Sequence, residues 1–300
     1  MSRRHLLMLA ALAAIWGSSF MFITIALRDL APSTLILLRM GFGALALAAY
    51  VRLARLPLAR LRAYAWPLAL LALINTAVPF FLIAWGQQYI DSGLAAIFNA
   101  SAPLFTALFA LPIDRSQRVT GTRLAGVVLA FGGVVLLVGF ELSGGERAVA
   151  GALAVVGAAA CYGIGGLYAG RRFVELPPPL VALGSLAWAT LFVLPVGAAE
   201  ATMPGWHAFL SVLYLGVAAT GVAYLLYFGL IAGAGASKAV LVTYLVPSLA
   251  LVYGAIFLDE SVTAISLIGL ALVLAGVALG TGTAGKSRRA RQAEAASLAR

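Results

Sequence analysis

The sequence predicts an all-α membrane protein, and three observations carry that prediction. The 300-residue chain is 63% hydrophobic and only 10% charged, whereas soluble domains carry about 25% charged residues. Ten apolar stretches approach the length of about 20 residues that crosses the hydrocarbon of a bilayer. The last five of them repeat the first five in outline. A chain this poor in charge cannot coat a water-facing surface, so two soluble domains are excluded and lipid is the solvent for most of it. The net charge of +10 does not point to nucleic acid either, because the basic residues sit between apolar runs rather than on one face.

The spans fall at 6–27, 32–52, 66–89, 93–113, 121–140, 149–170, 179–199, 208–231, 236–258 and 262–282. Span 1 follows Arg3, Arg4 and His5, but its apolar run is too long for the core of a cleaved signal peptide. Trp16 lies about ten residues into it, too deep for an interfacial belt, and is a candidate to line a cavity. Span 2 contains Arg39, about two turns inside, from where it can reach the nearer interface toward Asp29. Span 3 carries Asn75 and Pro79 on one line and Thr76, Phe80, Ile83 and Gln87 beside it. Span 4 has a polar stripe of Ser92, Asn99 and Thr106, with Ala96 and Pro103 between. Span 8 offers Thr220, Tyr224, Tyr227 and Ile231. Span 9 opens with Lys238 and continues with Thr243, Tyr244, Pro247 and Ser248.

Polar groups in lipid turn toward partner helices or a wet interior, so these stripes locate the inside of the bundle. Phe80, Tyr224, Tyr227 and Tyr244 beside Asn75, Asn99 and Thr243 describe a mostly apolar pocket with sparse orienting groups, as metabolite sites are. The structural alternative stands beside each: amides and hydroxyls also bridge helices, and tyrosines also anchor at interfaces. Lys238 either greets a substrate carboxylate or marks the cytoplasmic side. Pro79, Pro103 and Pro247 each remove a helical hydrogen bond, serving as hinges or as plain packing kinks. Gly166-x-x-x-Gly170, Gly229-x-x-x-Gly233 and Gly276-x-x-x-Gly280 are read as places where helices pack closely. Cys161, the single cysteine, excludes an intramolecular disulfide.

The repeat runs through several spans. WGSSFMFITIALRDLAP (16–32) matches YGIGGLYAGRRFVELPP (162–178), with Trp16 over Tyr162, Asp29 over Glu175 and Pro32 over Pro178. With the offset changed, GLAAIFNASAPLFTALF (93–109) falls on SKAVLVTYLVPSLALVY (237–253), Pro103 on Pro247 and Gly132 on Gly276. Five spans are an odd number, so the second half enters the membrane from the opposite side. The expectation is therefore ten transmembrane helices in two inverted repeats, 1–144 and 145–283, around a central cavity, followed by a basic tail at 284–300 that includes GKSRRARQ. Such halves permit alternating access, since two equivalent packings expose one site to either side.

Orientation follows from the cations. Numbering ends and loops alternately, 17 of the 20 lysines and arginines share the side of the N-terminus, against Arg28 and Arg147 on the other. The positive-inside rule then puts both termini in the cytoplasm.

WGSSF in span 1, the Pro103 segment and the run from GVAYLLYFGL to LAGVAL (221–279) resemble the EamA branch of the drug/metabolite transporter superfamily, over nearly the whole chain. That resemblance implies a ten-helix carrier in a bacterial inner membrane, commonly an exporter of amino acids or other small metabolites. LPIDRSQ (111–117) departs from the acidic pattern that the second repeat carries as LDES (258–261).

What is missing narrows the mechanism. Both histidines, His5 and His207, sit at span ends, so no buried Ser-His pair and no His-based metal site can be assembled. Ser237 and Lys238 are adjacent and do not face each other on a helix. No Walker-type phosphate loop is present. An enzyme, a resident metal and a cofactor are thus not expected. All ten acids lie in loops, tails or last turns, which removes the buried carboxylate of small proton-coupled antiporters. The expected substrate is a neutral or zwitterionic metabolite, amino acids foremost, moved without coupling or with weak coupling by a monomer. The alternatives are a lipid or drug flippase and a proton-linked multidrug exporter.

Overall fold

A computed structural model describes residues 1–110, 121–141 and 144–280, and all regular structure among them is helical. Seven helices are long and apolar enough to cross a membrane: α1 (Arg3–Ala26), α2 (Pro32–Leu53), α3 (Ala65–Gly86), α4 (Ser92–Ala110), α6 (Glu146–Arg172), α7 (Pro178–Ala199) and α8 (Trp206–Ala234). Three shorter apolar helices complete the bundle: α5 (Leu124–Phe140), α9 (Val242–Phe257) and α10 (Ala264–Gly280). Each expected span has a helix over it. LPIDRSQ and the basic tail lie outside the described residues. Large apolar side chains such as Leu45, Val128, Val135, Leu191 and Ile256 cover the outside, as a lipid-facing surface requires.

Prolines set several helix starts. Pro32 and Pro178 open α2 and α7, where a missing N–H costs nothing. Pro103 does the same within α4. The helix breaks after Asn99, Ser101 Oγ donates to the Phe98 carbonyl, and a second piece runs over Ala102–Ala110. Pro103 therefore begins a helical piece instead of kinking a continuous one, a correction to the hinge expected there. Pro247 does lie inside its helix.

Two helices widen into π turns. In α3 the π segment is Leu73–Ala77, where the Val78 N–H reaches the Leu73 carbonyl, and Pro79 follows. The extra residue absorbs the clash that a proline ring causes in an α-helix. In α8 the π segment is Val217–Val222, with the Ala223 N–H on the Ala218 carbonyl. No proline causes this one. The Thr220 hydroxyl instead donates to the Leu215 carbonyl at 2.8 Å, a side chain entering the backbone ladder.

The helices pack in a paired pattern. α1 lies on α8 and α9, and α6 lies on α3 and α4. α2 meets α7 and α8, while α7 meets α3 as well. α5 and α10 form a close pair. Small residues permit this: Gly86 and Gly151 touch through their backbones, and Gly276 sits against Ala130 and Gly126. The expected motif in α6 is shifted, however. Gly166 and Gly170 meet nothing, whereas Gly163 presses on Phe105 and Thr106, and Gly165 on Asn75. In α8, Gly229 and Gly233 receive side chains, Met8 and His5, rather than a helix backbone.

One end of the bundle is stitched by carboxylates. Glu260, in the α9–α10 connection, accepts from the Ser92 N–H at 2.8 Å, the Ser92 hydroxyl at 2.9 Å and the Gly93 N–H at 3.1 Å. It thus caps α4 from outside, satisfying donors that a helix N-terminus leaves open. At the same end Asp29 Oδ2 accepts from the Gly205 N–H at 3.0 Å, and Ser33 donates to Glu200.

Candidate functional site

The polar interior gathers around the two π turns. In α3, Thr76 shares a 2.8 Å hydrogen bond with Ser185 of α7. In α8, Thr220 Oγ1 accepts from Arg39 Nε of α2 at 3.2 Å. All four residues are buried. The π turns fit this role, since a widened helix displaces side chains and loosens backbone acceptors near functional sites.

Arg39 is 7% exposed and its guanidinium carbon sits 4.4 Å from the centroid of Phe80, close enough for a cation–π contact. Tyr162 of α6 and Tyr224 of α8 lie within electrostatic range of it, and Tyr162 packs edge-on against Phe80 at 6.3 Å. The expected reach of Arg39 toward Asp29 is therefore wrong. Asp29 is engaged with Gly205, and Arg39 turns inward because Thr220 and the Phe80 face offer partners that lipid does not.

On the other side of the α8 π turn, Trp16 Nε1 donates to the Ala219 carbonyl at 3.2 Å. Its ring lies 5.4 Å from that of Tyr227, and both residues keep part of their surface accessible. Asn75, next to Thr76, sits against Gly165 of α6. Six of the sequence candidates, Trp16, Asn75, Pro79, Phe80, Tyr224 and Tyr227, thus belong to the π turns or to what packs on them.

The others lie apart. Asn99 ends the first piece of α4, and its Oδ1 is buried with no hydrogen-bond partner among the described residues. Thr243 Oγ1 donates to the Val240 carbonyl at 2.8 Å, spent on the turn that leads into α9. Tyr244 is half-buried in the first turn of α9. Lys238 is exposed on a separate short helix, Ala236–Ala239, that packs on α8. The structure does not bring Lys238 to the aromatic cluster.

Among the described residues no group of His, Cys, Asp and Glu could hold a metal ion, and Cys161 is a half-buried thiol. The two π-widened helices bring aromatic side chains together with the Arg39 cation, and the described acids all lie at helix ends or in connections. A mostly apolar lining with few polar groups is suited to a small organic solute.

The profile of the EamA-like transporter family matches residues 3–139 and again 149–281. The chain belongs to this family. It is 25% identical over 290 residues to a probable amino-acid metabolite efflux pump of Escherichia coli, covering 92% of this chain and 94% of that one. A probable terminal-alkyne amino-acid exporter of Streptantibioticus cattleyicolor is 28% identical, at 88% and 89% coverage. An uncharacterized transporter of Bacillus subtilis is 28% identical, at 96% and 94%. One crystal structure shares the fold with a TM-score of 0.67 at 23% identity, over 93% of this chain and 97% of that chain. As an EamA-like protein the chain is a multi-pass membrane transporter and not an enzyme by family.

Sequence reasoning missed three members of the cluster as site residues. Tyr162 had a signal, since the repeat sets it over Trp16. Arg39 had one too: no acid lies within a turn of it along α2. Ser185 carries none in its own surroundings, because a serine in an apolar helix is unremarkable.

Proposed function

We propose that this protein exports small zwitterionic or neutral metabolites, amino acids foremost, by alternating access around the two π turns. Ten crossing helices form two inverted halves, 1–144 and 145–283, and both termini face the cytoplasm of a bacterial cell whose inner membrane holds the protein as a monomer.

The observation that carries this reading is the doubling of the interior contacts. Thr76 and Thr220 are 144 positions apart, and their partners Ser185 and Arg39 are 146 apart. Each threonine stands in a π turn and reaches the second helix of the opposite half. The helix contacts double in the same way, α1 on α8 and α9 matching α6 on α3 and α4. One family profile fitting both halves supports the same point. Equivalent halves can exchange roles, and this exchange is what alternating access requires. In this reading Trp16, Asn75, Phe80, Asn99, Tyr224, Tyr227 and Tyr244 wall the cavity, Thr243 and Lys238 stand toward the cytoplasmic mouth, Pro79 and Pro247 mark where helices bend, and Pro103 starts the second piece of α4.

The described acids lie at helix ends or in connections: Asp29, Asp91, Glu141, Glu146, Glu175, Glu200, Asp259 and Glu260. No carboxylate among the described residues is buried to carry protons, so in this reading the substrate's own gradient drives flux. The test is uptake of radiolabelled amino acids into liposomes holding only the purified protein, with and without pH and sodium gradients. Saturable flux indifferent to both gradients is the expected result. Flux that appears only with a proton gradient overturns the uncoupled mechanism.

A further inference from the structure

We propose that Arg39 is the residue that recognises the substrate, and that it does so by taking a carboxylate. The substrates are then small organic carboxylates with an apolar or aromatic remainder, of which α-amino acids are the zwitterionic case. This rests on the carrier reading above and names the group that reading leaves open.

A guanidinium inside a membrane bundle costs several kcal/mol unless it is compensated. Among the described residues Arg39 makes no ion pair, and every described acid sits at a helix end or in a connection. Among the described residues its one hydrogen bond runs from Nε to Thr220, using one of five N–H donors on the group. The fork formed by the two Nη nitrogens matches the two oxygens of a carboxylate.

The other π turn argues against a purely structural role. Ser185 stands at the position equivalent to Arg39 and ties its helix to Thr76 with a neutral 2.8 Å hydrogen bond. The bundle therefore joins a second helix to a π turn without any charge. The guanidinium is surplus to that joint, and placing it there is justified by a ligand that supplies the missing negative charge.

The surroundings suit an amino acid. Phe80 covers the cation on one side at 4.4 Å, Tyr162 packs edge-on against Phe80, and Tyr224 lies within electrostatic range of the cation. The Trp16 and Tyr227 rings, 5.4 Å apart, offer π faces to an ammonium or an apolar side chain.

The experiment uses the full chain in liposomes and pairs each radiolabelled L-amino acid with its own decarboxylated amine, phenylalanine with phenethylamine foremost. The wild type should move the acid, and the amine at tenfold excess should not compete. Arg39→Ser, which offers Thr220 the hydroxyl that Ser185 offers Thr76 while removing the guanidinium, should raise KM for the acid at least about tenfold. Arg39→Lys should recover part of the loss. If Arg39→Ser does not yield folded protein, Thr220→Val removes the bond that orients the guanidinium and should raise KM by less. Competition by the amine as strong as by the acid, or an unchanged KM in Arg39→Ser, overturns the inference and leaves the carrier standing. Flux of neither acids nor amines by the wild type overturns both.

Discussion

The two π turns are built alike and loaded differently. Around Thr76 the joint is neutral throughout: two hydroxyls at 2.8 Å, with Pro79 two residues after the widened turn to account for it. Around Thr220 the same joint carries a guanidinium, an aromatic face and a widening that no proline enforces. The first has a full explanation in backbone sterics. The second holds more polarity than packing needs, and that surplus is what the proposed carboxylate site would use.

The harshest way to break the comparison is to load the neutral side. Ser185→Arg would bury a second guanidinium in a place with no room for it. Ser185 is 5% exposed, and its neighbour Gly184 is pressed against Leu68. A cost of more than about 3 kcal/mol is expected, seen as loss of monodisperse protein in detergent. A folded variant with wild-type melting would mean that the Thr76 side is as permissive as the Thr220 side.

A milder cut removes one hydroxyl from each side. Thr220→Val deprives a buried charge of an acceptor and should lower stability by about 2 kcal/mol. Thr76→Val loses a neutral bond, worth about 0.6 kcal/mol in a membrane bundle. Melting temperatures of the pair check the order, and equal shifts would show that Arg39 draws nothing from Thr220.

How much of this was legible follows from where the information sits. That apolar helices lie over the expected stretches was plain because bilayer thickness fixes the length of an apolar run, as α2 shows by running Pro32–Leu53 against an expected 32–52; seven of the helices reach membrane-crossing length. Breaks inside helices were not. Pro79 announces a disturbance but not whether the helix kinks or widens, and the α8 turn has no proline at all. Phe80, Tyr224 and Tyr227 could be found from helical spacing. The bond between Arg39 and Thr220 joins residues 181 positions apart, and spacing along one helix holds no information about it. Gly166 and Gly170 failed for a related reason: the motif says that a helix can be approached closely but not from which side, and in that stretch of α6 it is Gly163 and Gly165 that face a neighbour.

The Glu260 end sharpens the comparison further, because there a charge is matched by the backbone instead of being left over. Glu260→Ala would strip three donors of α4 of their acceptor. A loss of about 1 kcal/mol is expected, the usual cost of a helix cap. Melting in detergent reads it, and no change would mean that water replaces the carboxylate without penalty.

The smallest effect concerns the residue just before that cap. Asp91 is the N-cap position of α4, yet its side chain caps nothing, because Glu260 already occupies the donors. Partial desolvation, and then the charge of Glu260, hold the Asp91 carboxyl above the usual carboxylate range. A carboxyl raised in the folded state contributes stability that is complete below its unfolded value, about 4, and is lost as the pH rises through the raised folded value. At neutral pH the ionised Asp91 therefore works against this end of the bundle. Asp91→Asn should melt slightly higher than wild type at pH 7, by well under about 1 kcal/mol because solvent screens an exposed group. The advantage should shrink toward zero on acidification, as wild-type Asp91 takes up its proton. A variant less stable than wild type at pH 7 would mean that the Asp91 charge serves the α4 N-terminus after all, and that Glu260 does not cap it alone.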